Sequence, residues 1–463
     1  MKKNHLGFWI VFPIVFILLS AILIFLFDLL NGPLVLFIIL LVALVGFAIS
    51  SILLIEKKIR YRLIPWGAFL GVAILLISLA KPSIKPVSAP LFPNPEKTEV
   101  LHLANGDVQG AYTKDKAVEI YAGIPYAKAP IGELRWKETQ PVEDWQGVKD
   151  CTYFAPKSMQ NYGNSLTSTL VEMYAEKGWH PDYTMHANEP VSEDSLYLNI
   201  WRPATFSGNL PILVYIHGGS LTTGSSAFLD YNGETMARNG VIMITIAYRL
   251  GVFGYFAHPD LKEESPNHTT GNYGLLDQIQ ALRWVKENAS YFGGDPDKIT
   301  IAGESAGSSA VSALCASPLA HGLFQQAIGE SSSVACFRAP HTFRSLEKGY
   351  ETAENIMKEF HVSSIEELRK VPAEKLVQTS YSNSSMCVDG YALPKTPYEI
   401  YREGENNESA LLNGYNVKEA DAFVVPTFLF DPTNQNNIKE RLTAYFDEQA
   451  AGEFVETFQK EIE

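Results

Sequence analysis

The stretch ITIAGESAGSSAVSALCASPLA, residues 299–320, decides the fold class, because a β-branched strand pattern runs through a tight turn into an Ala-rich helical pattern. At its centre GESAG, residues 303–307, fits G-x-S-x-G, the pattern of a serine held on a strained turn between strand and helix. Glycines on both sides of the serine let the strand and the helix pass closely without a clash of Cβ atoms. We therefore predict that Ser305 is a nucleophile. The alternative is an ordinary glycine-serine turn.

A second glycine turn follows another predicted strand, residues 211–216, and reads YIHGGS at residues 215–220. A serine that attacks a carbonyl group needs N–H donors for the oxygen that becomes negative. Gly218, Gly219 and Ala306 are the predicted oxyanion donors, through their backbone amides. We interpret His217 as a residue that positions this loop and not as the base.

Short apolar strands alternate with helical patterns across the second half of the chain. Strand patterns occur at residues 195–201, 211–216, 240–247 and 298–302, and helical patterns at 273–291 and 305–317. Such alternation is typical of an α/β fold with a mostly parallel sheet covered on both faces. Active groups are then expected at the carboxyl ends of the strands. We predict one domain over residues 98–463.

The N-terminal 80 residues differ in composition from the rest and predict a membrane anchor. Apolar runs at residues 8–30, 33–55 and 63–80 are each long enough to cross a bilayer of about 30 Å, so three transmembrane helices are predicted. Buried core helices and a cleaved signal peptide are the alternatives, and SLA at residues 78–80 resembles a cleavage site that would release the domain. Residues 81–97 hold five prolines and predict an extended linker.

The distribution of charge predicts the orientation of the anchor and excludes some partners. Six basic residues lie before the first run or between the second and third, against two after the third, which places the N-terminus in the cytoplasm and the large domain outside the cell. Without residues 1–85, which hold 8 basic and 2 acidic side chains, the net charge of −14 becomes about −20. Such a domain repels nucleic acid and anionic lipid headgroups, so neither is expected as a partner of the domain.

The four cysteines, Cys151, Cys315, Cys336 and Cys387, have no spacing typical of a metal site, and no metal or organic cofactor is predicted. Two disulfides are compatible with a location outside the cell, but the sequence does not determine their pairing. Cys315 follows Ser305 in the Ala-rich run and is interpreted as a small core residue.

Ordered motifs give the chain a resemblance to the type-B carboxylesterases, a family that includes bacterial para-nitrobenzyl esterases, cholinesterases and the non-catalytic neuroligins. The matching stretches are GIPYAKAPIGELRW at 123, SEDSLYLNIW at 192, YIHGGS at 215, AYRLGVFGYF at 247, GNYGLLDQIQALRWVKENASYFGGDPDKITIAGESAG at 271 and VDGYALP at 388. The resemblance implies an α/β-hydrolase fold and a Ser-Glu-His triad that cleaves small carboxylic esters through an acyl-enzyme.

The resemblance also implies roles for further residues. The acid of the triad maps onto Glu419, in the G-x-N-x-x-E segment 414–419, with an exposed glutamate at the start of a helix as the alternative. A structural ion pair maps onto Arg135 and Glu193. Ser158 and Ser195 stand where many members have a disulfide, so that bridge is not expected.

The histidine of the triad has no counterpart, because none of the ten histidines follows Glu419, although the family's order is Ser, acid, His. His321 and His361 are interpreted as surface residues. We expect a domain that is C-terminally incomplete, with an open sheet edge and impaired turnover, because triad members act as a unit. A neuroligin-like binding or adhesion module and an inactive remnant are the alternative functions.

Overall fold

The computed structural model describes residues 6–29, 34–80, 91, 94–161, 190–332, 343–417, 419, 438–443 and 448–457. The chain divides into two compact units. The described residues of one unit are 6–29 and 34–80, and those of the other begin at residue 91. Each is described by itself. Residues 81–90 and 92–93 of the predicted linker lie outside the described residues, as do Cys336 and residues 420–437.

The first unit consists of apolar helices. Their bounds are α1 Leu6–Leu29, α2 Leu34–Leu53, the single turn α3 Ile59–Arg62 and α4 Ile64–Ala80. Aromatic rings fill the space between them: the ring of Phe47 lies 4.8 Å from that of Trp66 and 4.8 Å from that of Phe69. Most of the remaining apolar side chains are exposed. Helices that are apolar on all sides are typical of a lipid environment.

Two segments of this unit have the length and hydropathy that a membrane crossing requires, Val35–Leu53 and Ile59–Ile77. Only 22% of each is buried, whereas the core helix of a soluble protein is mostly buried. The prediction of a span at residues 8–30 is corrected, because the apolar stretch found there over the described residues is the shorter Trp9–Ile24. This stretch lies inside α1 Leu6–Leu29, which is 24 residues long. Among the described residues there are thus two candidate spans, where the sequence predicted three.

The second unit is built on an eight-stranded sheet. Its strands in chain order are β3 Ala111–Tyr112, β4 Val118–Pro125, β8 Tyr197–Pro203, β9 Leu210–Ile216, β10 Ile242–Ile246, β11 Gly294–Glu304, β12 Gln326–Glu330 and β15 Ala410–Gly414. The spatial order is β15-β12-β11-β9-β10-β8-β4-β3, in which the first five are parallel neighbours and the last three alternate in direction. The prediction of a mostly parallel sheet is confirmed.

Smaller sheets flank the large one. Their strands are β1 Leu101–Leu103, β2 Gly106–Gln109 and β5 Val148–Asp150 in one, β6 Lys157–Ser158 with β7 Val191–Ser192 in the second, and β13 Phe343–Ser345 with β14 Met386–Val388 in the third. Of the cysteines in the described part of the chain, Cys151, Cys315 and Cys387 are buried free thiols. The interpretation of Cys315 as a core residue is confirmed, because its side chain belongs to the main hydrophobic cluster.

Helices cover the large sheet. The helices of this unit are α5 Glu234–Arg238, α6 Gly251–Tyr255, α7 Pro259–Glu264, α8 Tyr273–Asn288, α9 Ala306–Ala316, α10 Leu346–Glu359, α11 Ile365–Arg369, α12 Ala373–Leu376, α13 Pro397–Glu403, α14 Ile438–Thr443 and α15 Glu448–Thr457. All eleven residues of α9 are buried, and this helix packs on β9, β11 and β12. Burial on all sides explains why this stretch is Ala-rich and lacks charge.

The two ends of the large sheet differ in burial. Central strand β10 is buried at all five positions, whereas all five residues of β15 are exposed. Leu412 of β15 exposes 67% of its surface. Strand β15 nevertheless pairs with β12 over its whole length. The edge at β15 thus lies next to the strands that carry the predicted site.

Candidate active site

Ser305 occupies the sharp connection between β11 and α9. Its backbone has φ 54° and ψ −120°, a conformation that non-glycine residues rarely adopt and that costs on the order of 1–3 kcal/mol. The Ser305 amide donates to the carbonyl of Glu330 at 2.9 Å, and the Ser305 carbonyl accepts from the amide of Ser309 at 3.0 Å. Strand and helix thus impose the strain, and the side chain is presented at the carboxyl end of β11.

The glycines beside Ser305 are required by close packing. A Cβ on Gly307 would lie 2.0 Å from the carbonyl oxygen of Ile216, and one on Gly303 would lie 2.5 Å from the carbonyl carbon of Gly307. Both contacts are with backbone, which cannot turn aside as a side chain can. The serine turn, residues 303–307, therefore depends on both glycines.

The glycine loop, residues 217–224, brings Gly218 against the nucleophile. A Cβ on Gly218 would lie 3.3 Å from the Cβ of Ser305 and 2.8 Å from the carbonyl oxygen of Glu304. Gly219 has φ +104°, and a Cβ there would lie 2.3 Å from the carbonyl oxygen of Thr223. Ala306 is the first residue of α9, so no carbonyl of its own helix accepts from its amide. The structure thus brings two of the predicted donors, Gly218 and Ala306, to the serine turn, and Gly219 follows Gly218 in the glycine loop.

His217 is a buried support of this loop. Its Nδ1 lies 2.8 Å from the carbonyl oxygen of Gly218, and its ring stacks on Tyr248 with centroids 4.6 Å apart. Because a carbonyl only accepts, Nδ1 carries the proton. Burial lowers the pKa of His217 to about 4. The ring is thus neutral near pH 7 and engaged in packing, as expected of a positioning residue.

Other supports of the glycine loop were not found from the sequence. The Tyr248 hydroxyl donates to the carbonyl of His217 at 2.7 Å. The amide of Gln160 donates to the carbonyl of Gly224 at 2.8 Å, and its side-chain oxygen accepts from the amide of Gly224 at 3.0 Å. These partners are 31 and 64 residues from the loop residues they bind. No local pattern identifies contacts at that separation.

Glu419 lies beyond the carboxyl end of β15, two strands from Ser305. Its carboxylate accepts from the amide of Asn416. Bonds from that amide and from the Ser331 side chain hold the pKa of Glu419 below its usual range. Glu419 is exposed and ionised near pH 7. A carboxylate of this kind is available to orient an imidazole.

Glu304 adds a second carboxyl group that sequence reasoning did not single out. A Cβ on Gly218 would lie 3.1 Å from Glu304 Oε2, so this side chain lies beside the glycine loop. Burial raises the pKa of Glu304, and the charges of Glu419 and Glu330 raise it further. The Glu304 carboxyl group, in the serine turn, therefore interacts electrostatically with the carboxylate of Glu419.

A tyrosine closes another side of the glycine loop. Tyr231 packs against Tyr215 with ring centroids 4.7 Å apart and ring planes inclined at 40°. Burial raises the pKa of Tyr231 to about 12, and the charge of Glu304 raises it too, whereas a bond from the Gly218 amide lowers it. The Tyr231 hydroxyl is therefore neutral near pH 7 and adjacent to a predicted oxyanion donor.

Other described histidines contact groups outside the serine turn. His102 contacts Asp107, His258 accepts from the amide of Asp260, and His321 contacts Asn407. His321 and His361 are exposed, in agreement with their interpretation as surface residues. Within the described ranges, no group of three or more His, Cys, Asp or Glu side chains is arranged to hold a metal ion.

Arg135 and Glu193 form a buried bidentate ion pair, with Nε to Oε1 at 2.6 Å and Nη2 to Oε2 at 2.5 Å. The Nη1 group of Arg135 also donates to the carbonyls of Arg369 and Val371, each at 2.8 Å. The ion pair and these bonds thus link the segments that contain Arg135, Glu193 and residues 369–371. Ser158 Oγ donates to the carbonyl of Tyr248 at 2.7 Å.

Comparisons with known proteins identify relatives of the second unit. A family model described as the Carboxylesterase family matches residues 97–461. The fumonisin B1 esterase of Sphingopyxis macrogoltabida is 36% identical over 338 residues, which cover 70% of this chain and 57% of that protein. Carboxylesterase 1C of Rattus norvegicus is 34% identical over 371 residues, covering 77% of this chain and 64% of that protein. The chain spans less than two thirds of both relatives.

Solved structures that superpose on this chain are also esterases. The Geobacillus stearothermophilus carboxylesterase EST55 at pH 6.2 superposes with a TM-score of 0.62 at 33% identity, covering 75% of this chain and 67% of that one. A PNB esterase superposes with a TM-score of 0.62 at 31% identity, covering 78% of this chain and 72% of that one. The described sheet is thus similar to that of known α/β-hydrolases.

Proposed function

As the chain belongs to the carboxylesterase family, we propose that it is a hydrolase of small carboxylic esters with Ser305 as the nucleophile. The observation that carries the proposal is the strained Ser305, with φ 54°, lying against a glycine loop whose Gly218 leaves room for nothing larger than hydrogen. A surface that only binds a partner has no physical need for that strain.

In the proposed reaction the Ser305 oxygen attacks the ester carbonyl carbon, and the amides of Gly218, Gly219 and Ala306 stabilise the resulting oxyanion. The serine proton passes to a base and then to the leaving alcohol. Water next attacks the acyl-enzyme and releases the acid. No metal or organic cofactor takes part in these steps.

Glu419 is proposed to orient the histidine that serves as the base. Its ionised carboxylate supports this role, because a carboxylate fixes the tautomer and position of an imidazole. Among the described residues, the histidine beside the serine turn is His217, and its burial and its pKa of about 4 make it a poor base. With that base we expect slow turnover.

The N-terminal helices are proposed to anchor the protein in the cell membrane as a multi-pass segment, with a cytoplasmic N-terminus and the hydrolase domain outside. This orientation needs an odd number of crossings, so it requires that α1, Leu6–Leu29, cross the membrane in addition to the two candidate spans. Support comes from the candidate spans and from the basic residues that lie between them or at the start of the second, Lys57, Lys58, Arg60 and Arg62. Flotation of the full chain with lipid vesicles tests the anchor. Recovery in the unbound fraction would contradict it.

The hydrolase proposal is tested with the full chain in mild detergent. We expect slow hydrolysis of p-nitrophenyl acetate and labelling by a fluorophosphonate probe, both lost in Ser305→Ala. Ser308→Ala is the matched control, because it lies in the same helix and its hydroxyl donates to the carbonyl of Ser332. Equal labelling of Ser305→Ala and the unmodified chain would refute Ser305 as nucleophile.

A binding or adhesion module is the second candidate function, and it is favoured by the burial and the low pKa of His217, the histidine that the described residues place beside the serine turn. In that case the carboxylesterase fold persists without turnover, and Ser305 has no activated neighbour. The fluorophosphonate experiment separates the two, because a serine with even a poor base is labelled slowly, whereas the serine of a binding module stays unlabelled at long incubation.

A further inference from the structure

The first unit contains an open cavity that the hydrolase reaction does not use. Its volume is about 280 Å³, which corresponds to roughly nine groups of the size of a water molecule. Helix α1 contributes Val11, Phe12 and Val15, and the start of α4 contributes Trp66. An apolar cavity of this size and depth suits several methylene groups of an acyl chain.

One polar side chain in the wall of the cavity lacks a partner. Ser51, near the end of α2, is only 5% exposed, and its hydroxyl forms no hydrogen bond among the described residues. Serines elsewhere in these helices bond to their own backbone: Ser20 Oγ donates to the Phe16 carbonyl and Ser50 Oγ to the Gly46 carbonyl, each at 2.7 Å. An unsatisfied buried hydroxyl is costly, so a ligand oxygen is the expected partner.

A cation lines the same cavity. Arg62, at the end of α3, is one of its lining residues, and it belongs to a basic loop, residues 56–62. That loop holds four basic side chains against one acid, Glu56. A guanidinium binds phosphate oxygens with two parallel N–H bonds. Basic pockets between membrane helices on the cytoplasmic side are suited to anionic lipid headgroups.

We propose that this cavity binds one anionic phospholipid of the membrane. One acyl chain lies along Val11, Phe12, Val15 and Trp66, the phosphate binds Arg62, and the Ser51 hydroxyl donates to a lipid oxygen. Charge complementarity selects this occupant, because a zwitterionic headgroup presents its own cation to the basic loop. The site rests on the proposed membrane anchor and is independent of ester hydrolysis.

The experiment uses the full chain reconstituted in vesicles of equal parts phosphatidylglycerol and phosphatidylcholine. After flotation shows incorporation, the protein is extracted in mild detergent, and the phospholipid that stays bound is identified by mass spectrometry. We expect about one phosphatidylglycerol per chain, in preference to phosphatidylcholine. Arg62→Gln should reduce that preference about fivefold, the effect of one cation near an anionic surface. Ser51→Phe should exclude lipid by filling the cavity.

Arg60→Gln is the matched control, because it removes the same charge from the same loop, and Arg60 does not line the cavity. It should retain lipid as the unmodified chain does. Equal losses in Arg60→Gln and Arg62→Gln, or equal retention of both lipids, would overturn the site while the anchor stands. Failure to float would reject the anchor and the site together. Ester hydrolysis is unaffected in each case.

Discussion

The serine turn and the segment that carries Glu419 lie at the same edge of the sheet but are held in different ways. Around Ser305, backbone approaches backbone so closely that Gly303 and Gly307 admit no Cβ. Around Glu419, the strand β15 is exposed at all five positions, and a Cβ on Gly414 would meet nothing within 4 Å. The proposed nucleophile is fixed by the packed core, whereas the proposed acid depends on a few local hydrogen bonds.

Because the two regions are held differently, we expect substitutions in them to affect different properties, either the stability of the fold or the reactivity of the site. Changes in or beside the serine turn should destabilise the fold, because they disturb buried backbone contacts. Changes in the acid segment, residues 414–419, should leave the fold intact and act on reactivity alone. Four substitutions measure the contrast through the free energy of unfolding, obtained by urea denaturation of the full chain in detergent.

The largest effect is expected for Gly303→Ala. Its new methyl group would lie 2.5 Å from the carbonyl carbon of Gly307, and overpacking against backbone should cost about 3–4 kcal/mol. Gly414→Ala is the matched control, since it also stands near the end of a parallel strand, and its free energy should change by less than about 1 kcal/mol. Similar losses in the free energy of unfolding for Gly303→Ala and Gly414→Ala would contradict the difference in packing between the two regions.

A pH-dependent loss of stability is expected from His217. Its pKa is about 4 in the folded protein against an ordinary value of 6.5, so between these values the unfolded chain binds more protons. Stability is therefore full above pH 6.5 and falls by about 3 kcal/mol as the pH approaches 4. His217→Gln should lack this loss of stability between pH 6.5 and 4, whereas a variant with exposed His321 replaced should retain it. A pH profile unchanged by His217→Gln would contradict the assignment.

A smaller effect is expected for Tyr248→Phe, which keeps the ring stacked on His217 but removes the donor to the His217 carbonyl. Loss of that buried hydrogen bond should cost about 1–2 kcal/mol. Tyr415→Phe in the acid segment is the control, because Tyr415 is 84% exposed, and its cost should stay below about 0.5 kcal/mol. Equal changes in the free energy of unfolding for Tyr248→Phe and Tyr415→Phe would mean that the hydroxyl of Tyr248 does not support the glycine loop.

The smallest effect is expected for Glu419→Gln. Its carboxylate is exposed, and exposed charges contribute little to folding, so the free energy of unfolding should change by less than about 0.5 kcal/mol. The bond from the Asn416 amide is retained by the side-chain oxygen of glutamine. A destabilisation above about 1 kcal/mol would show that the acid segment is a structural element after all.

Predictions from the sequence were accurate where local pattern and packing agree. Strand β9 was expected at residues 211–216 and extends over Leu210–Ile216, and the helix expected at 305–317 is Ala306–Ala316. For the N-terminal region the helix bounds agree, since residues 8–30 correspond to α1 Leu6–Leu29, but the number of candidate spans differs. Residues 8–30 predicted a span, yet the described apolar stretch is Trp9–Ile24.

The sequence by itself determined the α/β class, the serine turn and the glycine loop, because period, glycine spacing and strand-to-helix order are local properties of the chain. The tertiary structure alone decided how these parts are held. Tyr248 and Gln160 support the glycine loop from 31 and 64 residues away. It also decided that His217 is neutral and that Glu304 and Glu419 interact, since burial and charge separation exist only after the chain has folded.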